Sequence, residues 1–289
     1  MRFCKYVVLV FAAMGTMVAN NFLKAQTASF NFAQLDVPNS ASTEADGINT
    51  RGDIIGFFVD ASGKQHGFLD QHGTFTQLDF PKAASTKTVG INNENEIVGA
   101  FTDASGVQHG LLDRAGTFTQ VDFPGSTSTA ALSINDAHQI VGAFTDAAGH
   151  THGFLKRGSV FTRLDFPGST STTAFGINNR DEIVGAFTNA AGVQHAFVHR
   201  RGIFTQLDPP GATSSVAFGL NVLGHVVGSF TDAAGNGHGF LDEDGRFVHV
   251  DFPGAASTDA NGTNVEGFIV GDYFDASGVE HGYFATPRR

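Results

Sequence analysis

One stretch constrains the fold more than any other: residues 161–203, FTRLDFPGSTSTTAFGINNRDEIVGAFTNAAGVQHAFVHRRGI, recur with light edits along nearly the whole chain. A phenylalanine opens each copy, at Phe32, Phe75, Phe118, Phe161, Phe204 and Phe247, always 43 residues apart. Six units follow without a gap: 32–74, 75–117, 118–160, 161–203, 204–246 and 247–289. A period of this length means that one supersecondary unit is stacked against its own copies to build a shared core.

Within the unit 118–160, TFTQVDF alternates and is rich in β-formers, so Thr117 to Phe123 reads as a strand. Pro124-Gly125 ends it, and prolines recur there as Pro38, Pro81, Pro167, Pro210 and Pro253. Ser126 to Thr129 lead into a second strand ending at Ile134. Asn135, repeated as Asn49, Asn92, Asn178, Asn221 and Asn264, then suggests an Asx-type turn. A third strand carries Ile-Val and an interior glycine (Gly56, Gly99, Gly142, Gly185, Gly228, Gly271), which marks close backbone approach or a bulge. Asp146-Ala147-Ala148-Gly149 reads as a hairpin turn into a last strand. No window has helical spacing with caps. The unit is therefore an antiparallel four-stranded meander, and six of them predict an all-β, six-bladed β-propeller. The chain starts on the strand type that ends each sheet (Phe30 to Val37) and finishes on Glu280 to Ala285, so the first strand is expected to complete the last blade. Closing a loop of that size costs roughly 5 kcal/mol, which burial of Phe30, Phe32 and Leu35 at ~1.5–3 kcal/mol each offsets. The alternative is two tandem β-trefoils, which would divide the chain near residue 160, where no linker is found.

Residues 1–25 read as a secretory signal. Arg2 and Lys5 precede an apolar run from Tyr6 to Ala19, and a cut after Ala25, or after Ala19, leaves residues 26–289 as a single propeller domain. An uncleaved anchor is the alternative. The one cysteine, Cys4, falls in this segment, so the exported product would have no disulfide and would depend on packing. The net charge of −11 becomes more negative once Arg2, Lys5 and Lys24 leave. Such a surface matches neither nucleic acid nor anionic lipid, and no other apolar stretch is long enough to cross a bilayer. The expected address is therefore extracellular or periplasmic, with no membrane insertion after signal removal and the chain as a monomer.

The pattern G-I-N-x-x-x-x-I-V-G-x-F-x-[DN]-x-x-G-x-x-H-[GA]-F runs through Gly176 to Phe197, and His195-Ala196-Phe197 is its signature tripeptide. It resembles the HAF family of bacterial extracellular repeats, and six copies in register extend the resemblance over 32–289. Five repeats read His-Gly instead of His-Ala, Thr263 stands where Ile or Leu is usual, and Val37 and Pro209 replace a recurring Phe. The resemblance implies an exported bacterial protein and brings no established catalytic or binding residues.

Two polar columns invite chemistry. One is His66, His109, His152, His195, His238 and His281; the other is Asp36, Asp79, Asp122, Asp165, Asp208 and Asp251. A ring of His–carboxylate sites would suit metal or acid–base work, but sixfold repetition sets equivalent side chains too far apart to share one ion. They read as structural hydrogen-bonded pairs. The Asp-Ala-Ser-Gly turns lack the alternating carboxylates of a calcium loop, and Asn189 replaces the aspartate once. Arg200-Arg201, Lys82, Lys87, His225 and Asp242-Glu243-Asp244 break the symmetry and read as solvated turn residues. The column Thr43, Thr86, Thr129, Thr172, Ser215 and Thr258 suggests a hydroxyl rim able to bind a neutral glycan once per blade, although no Trp is present to stack on a sugar. No catalytic residue, metal or cofactor is expected. The reading is a secreted, non-enzymatic scaffold for an extracellular protein or glycan, with a lectin-like binder and a propeller hydrolase or lyase as alternatives.

Overall fold

The computed structural model describes residues 30–288; the expected signal segment lies outside them. The described residues form a six-bladed β-propeller of six four-stranded antiparallel sheets. Blade 1 consists of Ser42–Ile48, Ile54–Val59, Gln65–Gln71 and Thr74–Leu78, each strand paired to the next. The innermost strands are Ser42–Ile48, Ser85–Ile91, Ser128–Ile134, Ser171–Ile177, Ser214–Leu220 and Ser257–Thr263. Each touches the next around a ring, and the sixth touches the first.

The ring is latched as the sequence predicts. Phe30–Gln34 runs antiparallel to Glu280–Pro287, in a register from Phe30 opposite Pro287 to Gln34 opposite Tyr283. Phe32 packs edge-on against Tyr283 and Phe252, with ring centroids 5.5 Å apart in both pairs. No trefoil is present among the described residues.

Two backbone devices recur in every blade. The interior glycine of the second strand meets its inner neighbour so closely that a Cβ at Gly56 would lie 2.0 Å from the Glu44 carbonyl oxygen. That distance excludes any side chain. Beside it, the innermost strand carries a β-bulge. Ala45 pairs Gly56 and Gly47 pairs Ile55, which leaves Asp46 as the extra, unpaired residue. The same bulge falls at Val89, Leu132, Phe175, Phe218 and Asn261. A bulge re-aims the side chain it carries, and here all six line the central channel.

Between blades the core is aromatic. Phe80 stacks on Phe101, Phe123 on Phe144, Phe166 on Phe187 and Phe252 on Tyr273, with centroids 3.6–3.7 Å apart. The two departures, Val37 and Pro209, fall at the position that supplies the first ring of each stack.

Candidate functional site

The recurring histidines and aspartates are brought together within each blade. Every His Nδ1 lies 2.8–3.1 Å from its aspartate: His66–Asp79, His109–Asp122, His152–Asp165, His195–Asp208, His238–Asp251 and, across the latch, His281–Asp36. The far nitrogen faces the aspartate of the hairpin turn, as in His152 Nε2 to Asp146 at 3.2 Å; in blade 4 it faces Asn189 instead. Each turn aspartate accepts from its own turn, as Asp60 Oδ1 does from the Ser62 and Lys64 amides at 2.8 and 2.9 Å. The Ser62 hydroxyl, with these amides, holds the Asp60 carboxyl well below the usual range. The pairs are struts tying the outer strand to the turn.

The hydroxyl rim needs correction. Thr43, Thr86, Thr129, Thr172, Ser215 and Thr258 are at most 2% exposed. Their hydroxyls accept backbone amides inside the blade, Val37 to Thr43 and Phe166 to Thr172 among them, at 3.1 and 3.0 Å. Ser215 accepts from Ala196 and donates to Asp208. The column serves the chain's own backbone and offers nothing to a ligand. Two presumed turn residues also move. Asp242 is buried, accepts from the Gly245 amide at 2.7 Å and is pushed upward by burial. Lys87 lies in the channel.

The asparagine turns form as expected and do more. Asn49 Oδ1 accepts the Arg51 and Asp53 amides at 2.9 and 3.0 Å, while the side-chain amides link blade to blade. Asn92, Asn135, Asn178, Asn221 and Asn264 each donate to the backbone oxygen of the next asparagine at 3.0–3.3 Å, and Asn264 reaches Asn49 across the seam. They border a cavity of about 220 Å³ at one end of the channel. Ile48, Ile91, Ile134, Ile177, Leu220 and Thr263 line this cavity and also a larger one beyond it, of about 300 Å³.

The larger cavity is where the repeats stop resembling one another. Its bulge positions read Asp46, Val89, Leu132, Phe175, Phe218 and Asn261 around the ring. One wall is apolar, with Phe175 and Phe218 edge to face at 5.3 Å. The opposite wall, at the seam of blades 6 and 1, is acidic: Glu44 and Asp46 line the cavity, and Asp259, Asp272 and Glu280 act on them from behind. Asn261 Nδ2 bridges this wall, donating to Asp272 Oδ1 at 2.9 Å and to the Ala45 carbonyl at 3.2 Å. One cation faces the acids, Lys87, whose Nζ sits 3.9 Å over the Phe57 ring. Burial, followed by the charge of Glu280, pushes the Glu44 carboxyl up to about 7. Burial and neighbouring acids raise Asp46 and Asp272 well above the carboxylate range, and burial raises Asp259 and Glu280. Asp46 Oδ2 is enclosed without a hydrogen-bond partner. Burial and mutual repulsion make this wall costly to ionise, which favours a positive guest.

No protein-family model and no curated sequence matches the chain. Among solved structures, similar folds include the fungal lectin of Aleuria aurantia, described as a six-bladed β-propeller with a novel fucose recognition mode. It has 8% identity and a TM-score of 0.54, over 87% of this chain and 93% of that one. TolB of Acinetobacter baumannii has 11% identity and a TM-score of 0.57, over 80% and 63%. The Trypanosoma rangeli sialidase has 8% and 0.50, over 90% and 58%. At these identities the likeness is one of fold.

Proposed function

We propose that the protein is a secreted, non-enzymatic binding scaffold of the HAF-repeat type that holds one small ligand per molecule in its central channel. The ligand class is an organic cation, an ammonium carried on an apolar body. The bulge column carries this reading. It sets Asp46 and Asn261 against Leu132, Phe175 and Phe218 across one cavity, in a molecule whose other columns largely repeat. A buried carboxyl gains most from a guest that supplies the charge its proton now supplies, and the facing rings and Leu132 contribute burial of the guest's apolar part. Secretion is supported by the character of residues 1–25, and HAF membership by six motif copies in register. Calorimetry with 2-phenylethylamine, and with 2-phenylethanol as the neutral isostere, tests the proposal. The amine binds one to one, the alcohol at least tenfold more weakly, and Leu132→Trp, which fills the cavity, abolishes both. Equal binding of the two overturns the cationic class but keeps the site; binding untouched by Leu132→Trp overturns the site. The fold of the fucose lectin favours a second reading, a glycan partner. It predicts glycan-array binding that survives Leu132→Trp.

A further inference from the structure

A different symmetry break lies on the outer part of blade 5. In four blades the residue two before the strut aspartate is glutamine: Gln34, Gln77, Gln120 and Gln206. Its amide nitrogen donates to that aspartate at 2.5–2.6 Å and lies 3.0–3.2 Å from the strut histidine. Blade 4 uses Arg163, which also donates to its aspartate. Blade 5 alone has a second imidazole there, His249.

The exchange alters the chemistry of the strut. His238 Nδ1 and His249 Nδ1 both point at one oxygen, Asp251 Oδ2, at 3.0 and 3.3 Å. One ligand atom from each of the three residues lies within 4.8 Å of the others. A tetrahedral zinc ion with bonds of about 2.0–2.1 Å separates its ligands by about 3.3 Å, so two of the three spacings already fit to within a few tenths of an ångström. The exchange of glutamine for histidine is not needed to hold the strut aspartate, since the glutamine amide already donates to it in other blades.

The surroundings hold the set in place. Phe230 stacks on His238 at 5.2 Å and meets His249 edge-on at 5.3 Å, which fixes both rings. The other nitrogen of His238 faces Asp232 Oδ2 at 3.5 Å. Asp232 is itself anchored by the Ala234 and Asn236 amides at 2.8 Å. A metal on Nδ1 moves the ring proton to Nε2, where Asp232 can accept it, the outer-sphere carboxylate that metal-bound histidines commonly have. The three side chains are 24–39% exposed, so an ion can reach them and keep one position for water or an incoming ligand. We infer that His238, His249 and Asp251 form a binding site for one borderline divalent cation of the zinc type, with an open fourth position. Two imidazoles and one carboxylate select this class over calcium or magnesium, which prefer all-oxygen shells. The other set with suitable spacing, Glu94, Glu96 and His138, has its central carboxylate already paired with Arg114 and His138.

The other blades supply the test variant, because His249→Gln restores the residue that four of them use and carries little risk to folding. Tag-free protein is titrated with zinc chloride by calorimetry, and with cobalt(II), whose visible absorption reports tetrahedral coordination. Wild type binds one ion per chain, and excess calcium does not displace it. Zinc raises the melting temperature in proportion to its saturation. His249→Gln loses at least tenfold in affinity and its zinc-dependent melting shift, with the metal-free melting temperature unchanged, while Glu94→Gln behaves as wild type. Absence of one-to-one binding, retention by His249→Gln, loss in Glu94→Gln, or displacement by calcium overturns the assignment.

Discussion

The acidic wall of the channel makes a measurable claim on stability. Glu44 sits on the innermost strand of blade 1 and faces Glu280, Asp46, Asp259 and, from the next blade, Lys87. Its carboxyl is raised from an ordinary 4.5 to about 7. The folded state therefore binds this proton more tightly than the unfolded chain, so stability must fall as pH rises from about 4.5 through 7. At 1.36 kcal/mol per pH unit the displacement amounts to about 3 kcal/mol, fully lost by about pH 8. Glu44→Gln keeps the shape and cannot ionise, so it should remove this slope. Urea unfolding of both proteins at pH 5 and pH 8 gives the contrast: the wild type loses about 2.5 kcal/mol more than the variant between the two pH values. At roughly 2–4 °C per kcal/mol, the corresponding gap in melting-temperature change is roughly 5–10 °C. His138 is raised by the carboxylate of Glu96, and His199 is lowered by burial. Both are common to the two proteins and cancel in the difference. Lys87→Met should steepen the wild-type slope by removing the cation that faces the acids. Identical pH slopes for wild type and Glu44→Gln would mean that Glu44 titrates as if in water, and the electrostatic basis of a cationic guest would be gone.

Two further outcomes follow from the architecture. Removing residues 30–36 deletes the strand paired to Glu280–Pro287 and the packing of Phe30 and Phe32 on Tyr283. Calorimetry should then show a broadened, non-cooperative transition or size-exclusion chromatography an oligomer; a monomer that melts as the full chain does would refute closure by that strand. Thr172→Val leaves the half-buried Phe166 amide without its acceptor and should cost about 1 kcal/mol or more in urea unfolding, whereas a rim serving only a ligand would show no change.

The fold was legible because most repeated columns carry an instruction that any one copy already states: proline after the outer strand, asparagine at the turn, glycine where the inner carbonyl lies 2.0 Å from a would-be Cβ. Phase supplied the rest, since Phe30–Gln34 is an outer strand lying ahead of the first full blade, and the last sheet takes it as its fourth strand. The threonine column was misjudged because a Ser/Thr run between strands looks the same whether its hydroxyls face water or the chain's own amides. Only the register of Thr172 against Phe166 separates the two.

The channel was missed for a different reason. A repeat read for its shared residues hides the positions where chemistry is placed, since an asymmetric ligand on a sixfold axis can be matched only where the copies differ. Glu44, Lys87, Ala130, Thr173, Val216 and Asp259 occupy one column; Phe57, Ala100, Ala143, Ala186, Ser229 and Asp272 occupy its pairing partner. The bulge column lies two residues after the first of these, in the same innermost strand. Within blades otherwise held nearly identical, these neighbours drift between acid, base, aromatic and small residues. That variation was visible in the six aligned units, but its meaning depended on the bulge, which turns a strand residue without a partner toward the axis. His249 in a column of glutamines is the same kind of signal on the outer part of the blade. In a closed ring of near-identical sheets, a column that varies while its neighbours repeat is where a single site can exist.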